Sequence, residues 1–146
     1  MSGPTDPAEE HFDKGLWGWD LTQWRKLPML WGYSAGWAED LSGTQSGAGN
    51  YLATTTAVPA GYVYVLQSAM IRNDVNARTR ADIYLARSGS NYLIYVNAAP
   101  VVAIGNIVNG SWVLMPGDQV LVYYVGCLDG DVLVGGVWGY KMAIGQ

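Results

Sequence analysis

The chain is short of the side chains on which most enzyme chemistry depends. It has one cysteine, Cys127, and one histidine, His11. A lone cysteine closes no internal disulfide and fits synthesis in a reducing cytosol. A Ser-His-Asp or Cys-His arrangement would have to recruit His11 from a polar terminal segment, and a Cys/His zinc site is excluded by count. Charge is scarce as well. Only 14% of the residues are charged and half are hydrophobic, whereas an average soluble domain is about 25% charged. The net charge of −4 argues against nucleic acid as a partner, because phosphate-binding domains carry a basic surplus or stripe. No apolar run reaches the ~18 residues of a membrane span, so no membrane partner is expected. The first ten residues have neither a basic n-region nor an apolar h-region, so no signal peptide is expected. No catalytic residue, metal ligand or cofactor emerges, and a non-enzymatic role is expected. With so little charge available to cover a surface, part of that surface is expected to be buried against other chains.

What is present divides near residue 50. The chain's 146 residues suit one domain, or a small domain with a tail. Residues 1–50 hold seven acidic and three basic residues and five of the seven tryptophans, while residues 51–146 hold five of each charge. Valine and isoleucine concentrate in the second part. Ser42 to Asn50 is small and polar and reads as a flexible linker. The expected organisation is a Trp-rich N-terminal arm and linker, 1–50, followed by a β-domain, 51–146.

The β-domain is a series of short strands. Tyr62-Val63-Tyr64-Val65-Leu66 follows the turn Val58-Pro59-Ala60-Gly61 and opens a strand reaching Arg72. Thr79 to Arg87 alternates, with Ala81, Ile83 and Leu85 on one face and Arg80, Asp82 and Tyr84 on the other. Ser88-Gly89-Ser90-Asn91 turns into Tyr92 to Val96, and a weaker strand is expected over Val101 to Ile104. Asn109-Gly110 is expected as a hairpin turn joining Asn106-Ile107-Val108 to Ser111 to Leu114. Met115-Pro116-Gly117-Asp118 is a turn with proline at its favoured second position. Gln119 to Val125 and Val132 to Tyr140 complete the set. Seven or eight strands with frequent turn signals and no helical period between them predict an all-β antiparallel sandwich. A jelly roll is the preferred topology and an immunoglobulin-like sandwich the alternative.

Two strands are apolar on both faces. Val120 to Val125 and Tyr62 to Leu66 lack the polar residue at every second place that a wet face requires. Such strands are covered twice, by the protein's own N-terminal part or by a second subunit. Under the second reading the oligomer interface is Tyr62, Tyr64, Leu121, Tyr123 and Val125.

In the arm, Asp6-Pro7-Ala8-Glu9 fits a helix start, and Asp20-Leu21-Thr22-Gln23 a second, ended by Pro28. A helix over Trp17 to Leu27 would align Trp17, Leu21 and Trp24 on one face. Beyond Pro28 an irregular or extended segment is expected. The arm's apolar side chains are too few to offset the entropy of ordering it alone, so it must lie on a folded surface, its own sandwich or a neighbour. Tryptophan is enriched at the energetic centres of protein interfaces. The expected contact residues are Trp17, Trp19, Leu21, Trp24, Leu30, Trp31, Tyr33 and Trp37.

Other candidates carry less. Asp118, Asp129 and Asp131 suggest calcium, but their spacing matches no EF-hand loop, and aspartate before glycine is an ordinary turn signal. No carboxylate pair suits glycosidase chemistry. Arg72, Arg78, Arg80 and Arg87 are interleaved with Asp74 and Asp82, which reads as a mixed solvated face. Exposed tyrosines and tryptophans could stack on sugars. Cys127 reads as a small apolar filler.

The stretches Val58 to Ser68, Thr79 to Leu85, Leu114 to Val120 and Gly135 to Met142, the last with its Gly-Tyr-Lys-Met ending, resemble the strand and turn pattern of capsid-associated sandwich proteins of tailed bacteriophages, including head decoration or cement proteins. The resemblance covers residues 55–142 and leaves out the arm. It implies a virion protein made in the host cytoplasm and bound to the capsid surface. Its partners would be the major capsid protein and further copies of itself, often as a trimer. Tail-fibre and receptor-binding proteins use similar sandwiches, so a glycan- or receptor-binding module is the alternative.

Overall fold

In the computed structural model the described residues are 17–19, 24–26, 33–76 and 80–144. Among them are eleven strands and no helix. Strands β1 (Trp17–Trp19) and β2 (Trp24–Lys26) form an antiparallel pair with Trp19 in register with Trp24. This corrects the helix expected over 17–27. Strand side chains alternate with period two, so the helical face of Trp17 and Trp24 does not exist here, and tryptophan itself favours extended backbone. The helix start at Asp6, together with Leu21, Leu30 and Trp31, lies outside the described residues.

The remaining strands are β3 (Tyr33–Asp40), β4 (Gly43–Thr44), β5 (Gly49–Thr54), β6 (Tyr62–Asn73), β7 (Arg80–Arg87), β8 (Ser90–Asn97), β9 (Asn106–Leu114), β10 (Gln119–Cys127) and β11 (Val132–Ala143). Their antiparallel pairings nest about one hairpin. β7 pairs with β8, β6 with β9, β5 with β10, and β3 with β11. The folded-over hairpin makes two packed sheets, β5-β10-β7-β8 and β3-β11-β6-β9, with β4 also on β11. This interleaving of eight main strands is the jelly-roll order. The central hairpin turns at Ser88 (φ 51°) and Gly89 (φ 78°), two consecutive left-handed residues, as the tightest right-twisted hairpins require.

Several boundaries differ from those expected. The sandwich begins at Tyr33, not at residue 51, because β3 lies along β11 from Met142 to Gly136. The stretch read as a linker is bonded in place. Gly43 and Thr44 pair with β11, Gln45 N–H donates to the Asp131 carbonyl (2.8 Å), and Gly47 N–H donates to the Asp129 carboxylate (2.6 Å). Asn109-Gly110 is not a turn; β9 runs through it as one strand. The Trp112 ring lies where a Cβ on Gly110 would sit, 2.4 Å from the nearest ring atom, so glycine is needed there for packing rather than for reversal. Val101 to Ile104 is a turn, not a strand.

The core lies between the sheets and includes Leu66, Ile71, Ile83, Leu114, Val120, Val122, Tyr124, Leu133 and Val137, all 0% exposed. Ala81, Ile83 and Leu85 face inward as the alternation predicts. β6 changes sides at a bulge between Leu66 and Ser68. Before it Val63 and Val65 point outward with Met142; after it Ala69 and Ile71 point inward. The bulge explains why Tyr62 to Leu66 is apolar on both faces: one face fills the core and the other builds an external apolar cluster.

Candidate interaction surface

The outer face of β3-β11-β6-β9 carries a groove of about 360 Å³ lined by Val63, Val65, Val113, Met115, Tyr140 and Met142 among others. It owes its apolar lining to the β6 bulge, which turns two valines outward beside β9 and β11. Val113 (49% exposed) and Met115 (45%) form its open wall. Tyr33 stands opposite Met142 in the β3–β11 register, so β3 begins beside this groove. Further along the same face Trp138, 45% exposed, lies over Gly136, where an added Cβ would sit 3.1 Å from the indole.

The outer face of the other sheet differs in chemistry. Leu52, Tyr84, Asn91, Leu121 and Tyr123 line a shallow depression of about 200 Å³. Tyr84 donates its hydroxyl to Asp82 (2.8 Å). Asp82 is 1% exposed and also faces Arg80 at 2.8 Å. The bond to Asp82, then burial, then that carboxylate's charge push the Tyr84 hydroxyl above its ordinary pKa. Asn50 donates to the Tyr123 hydroxyl at 2.7 Å.

The expected interface residues do not form one surface. Tyr62 and Tyr64 pack on the core, with the Tyr64 and Trp37 ring centroids 4.9 Å apart. Leu121, Tyr123 and Val125 lie on the outer face of the opposite sheet, on the side of β10 away from Val120, Val122 and Tyr124. Trp37, expected to reach a neighbouring chain, is 8% exposed inside its own sandwich, and its indole N–H donates to Glu39 (2.9 Å). Tyr33 is placed by its backbone pairing alone, and Trp17, Trp19 and Trp24 by the β1–β2 register.

The aspartates weighed for calcium are apart and separately engaged. Asp118 accepts from Arg87 Nε (2.8 Å), Arg87 Nη2 (2.6 Å) and the Met115 amide (2.7 Å). That carboxylate bond is the main reason the Arg87 guanidinium is pushed above its ordinary pKa. Asp131, 0% exposed, accepts from Asn73 Nδ2 (2.7 Å), Asn76 Nδ2 and the Leu128 amide (2.8 Å). Asp129 holds Gly47. No group of three or more His, Cys, Asp or Glu stands together among the described residues. Arg72, Arg80 and Arg87 each face an aspartate, at 2.8, 2.8 and 2.6 Å, and they are divided between β6 of one sheet and β7 of the other, so they do not build one basic patch. Cys127 is buried, which raises its thiol pKa.

Sequence reasoning missed the most exposed apolar region. From Ser88 to Gly117 the chain has thirty residues without one charged side chain. The run covers β8, β9 and the loop between them. Of the thirteen large apolar side chains most exposed among the described residues, nine lie in it, including Tyr92, Leu93, Val96, Ile104 and Ile107. That signal is visible in the sequence, but only the topology places both strands at one flank.

No family model and no curated protein matches the chain. Some solved structures are similar to it over most of its length. A structure of the disulfide-linked pili of Bacillus endospore appendages is 6% identical, covering 76% of this chain and 88% of that one with a TM-score of 0.44. The C-terminal domain of EclA, a sugar-binding protein, is 13% identical, covering 92% and 95% with a TM-score of 0.35. A structure of infectious bursal disease virus, Gt strain, is 11% identical, covering 76% of this chain and 41% of that one with a TM-score of 0.24. At these identities and scores the likeness carries no argument about this chain. The class defined by the fold is a jelly-roll β-sandwich, compatible with a structural or binding module.

Proposed function

We propose that the chain is a non-enzymatic structural protein of a virion, of the decoration type, made in the host cytoplasm and attached to the capsid surface. The observation that carries this reading is the outward apolar groove of Val63, Val65, Val113, Met115, Tyr140 and Met142 on a sandwich whose buried carboxylates Asp118 and Asp131 are engaged in tying turns and strands together. Val63, Val65 and Met142 form the nearly buried floor of the groove, and Val113 and Met115 its exposed wall; such an exposed apolar wall on a domain with so little charge suits attachment. The groove takes apolar side chains of the shell protein, and the Trp-rich segment before Tyr33 adds further anchors. Repetition over a lattice turns modest single contacts into strong attachment. The test is co-sedimentation of the full chain with capsids that lack it. Saturable binding, weakened at least tenfold by Val113→Glu with Met115→Glu, supports the reading. Absence of binding, or binding indifferent to those changes, overturns it.

A second reading rests on the Tyr84–Tyr123 depression, where two aromatic rings lie with Asn91 beside ordered hydroxyls. Aromatic faces with a few fixed polar groups suit a sugar ring. Glycan-array binding lost in Tyr123→Ala, with capsid binding unchanged, would favour this reading over the first.

A further inference from the structure

We infer that the uncharged flank formed by β8 and β9 is a self-association surface, through which β8 pairs antiparallel with β8 of a second copy across a two-fold axis. The inference goes beyond the proposed function and does not depend on it. β8 is the last strand of its sheet: one side bonds to β7, and the other meets no strand among the described residues. An open edge of eight residues presents a row of unpaired amides and carbonyls, and proteins that stay monomeric guard such an edge with lysines, proline or a cover. Ser90–Asn97 has no charge and no proline. Its side chains are among the most exposed apolar ones, with Tyr92 at 54%, Leu93 at 51% and Val96 at 49%.

The neighbouring edge belongs to the same flank. β9 closes the other sheet on this side, and Asn97 Nδ2 donates to Asn106 Oδ1 across the gap (2.7 Å). Val101, Ile104 and Ile107 continue the apolar surface. Nine of the large apolar side chains of the uncharged run from Ser88 to Gly117 are exposed, which suits the charge-depleted centre of a protein interface. The opposite flank, made by β3 and β5, carries Glu39 and Asp40 and is unlike this one. A second copy is therefore the fitting occupant: neutral flank meets neutral flank, and a two-fold arrangement uses the β8 edge of both copies and closes at two chains.

The experiment is light-scattering mass measurement on the full chain at micromolar concentration, with Leu93→Lys/Val96→Lys as the edge-breaking variant. Both residues lie outside the buried core, so the variant should still unfold in one cooperative transition, at a temperature below the dimeric parent's because it loses the stabilisation of association. The expected result is about twice 15.8 kDa for the parent and a single chain mass for the variant. Leu93→Cys should give a disulfide-linked dimer on mild oxidation, because a two-fold brings the two copies of β8 together and Cys127 is buried. Leu52→Cys, equally exposed but on the opposite edge strand, should not. A monomeric parent, a trimer, a dimer that survives the two lysines, or cross-linking through position 52 instead of 93 would each overturn the inference.

Discussion

Gly139 crosses the Val65 carbonyl so closely that a Cβ on it would sit 1.9 Å from that oxygen. The contact lies where the register of β11 against β6 shifts, at the bulge that turns Val63 and Val65 outward. Gly139→Ala is expected to cost about 3 kcal/mol, at the upper end for overpacking, because the obstacle is backbone and cannot swing aside. Gly136→Ala meets the edge of the Trp138 indole at 3.1 Å, which can shift, and the Glu39 carbonyl at 3.3 Å, a milder approach than 1.9 Å, and should cost about 1 kcal/mol. Urea midpoints for the two variants check the contrast; equal midpoints would remove the bulge from the explanation.

The boundary of the folded unit is open to a truncation test. Removing residues 1–32 leaves every strand from β3 onward and should preserve a single cooperative unfolding transition. Removing 1–40 deletes β3, bares one edge of β11 and empties the site of Trp37. Loss of a buried tryptophan alone costs about 3–5 kcal/mol, so the shorter chain should lose its cooperative transition. A stable 41–146 fragment would return β3 to the arm.

Asp131 gathers three donors, from Asn73, Asn76 and Leu128, while Asn73 Oδ1 accepts from the amides of Val75 and Asn76. Asp131→Ala strands buried donors and is expected to destabilise by about 2–4 kcal/mol. Because the knot fastens the start of β11 to the end of β6, amide exchange should rise first at residues 73–76 and 128–132. Unchanged protection there would show that the turns hold without the carboxylate.

Stability should fall on the alkaline side. Burial, then the negative charge of Asp40, holds the Tyr51 hydroxyl above its ordinary 10.0, and that hydroxyl donates to the Leu41 carbonyl at 2.7 Å. Tyr84 is raised from the same value, chiefly by its bond to Asp82. Cys127 is raised from 9.0 by burial. All three groups are neutral when protonated and keep their protons longer folded than unfolded. Their stabilisation is thus complete below the unfolded values and is lost as pH climbs through the raised folded ones. Melting temperatures between about pH 7 and about pH 11 should be level at first and then decline. A level profile over the whole range would contradict the assignment.

Much of the sandwich is legible in the sequence because strand alternation and turn chemistry are local. Ala81, Ile83 and Leu85 declare their inward face by period two, and Met115-Pro116-Gly117-Asp118 declares its turn by proline followed by a glycine, found here at φ 90°. Asn109-Gly110 misleads because the same dipeptide serves a hairpin or a crowded strand, and the neighbour that decides between them, Trp112 packed over Gly110, is a matter of packing. Trp37 misleads for a related reason. An indole that fills a core and one that anchors to a partner look alike in a sequence, and the alignment of Trp37 with Gly139 of β11, about a hundred residues away, is what separates them.

The sequence by itself determined the all-β character, the positions of β6 to β8, β10 and β11, the scarcity of charge and the uncharged run from Ser88 to Gly117, since each follows from residue type and short-range period. Tertiary structure alone decided that Tyr33–Asp40 is a sandwich strand, that Val63 and Val65 face outward, and that the two uncharged strands lie at one flank. Those outcomes depend on which distant strands pair and where a bulge reverses the pleat. Long-range pairing is fixed by burial summed over the whole domain and leaves no mark on any one segment.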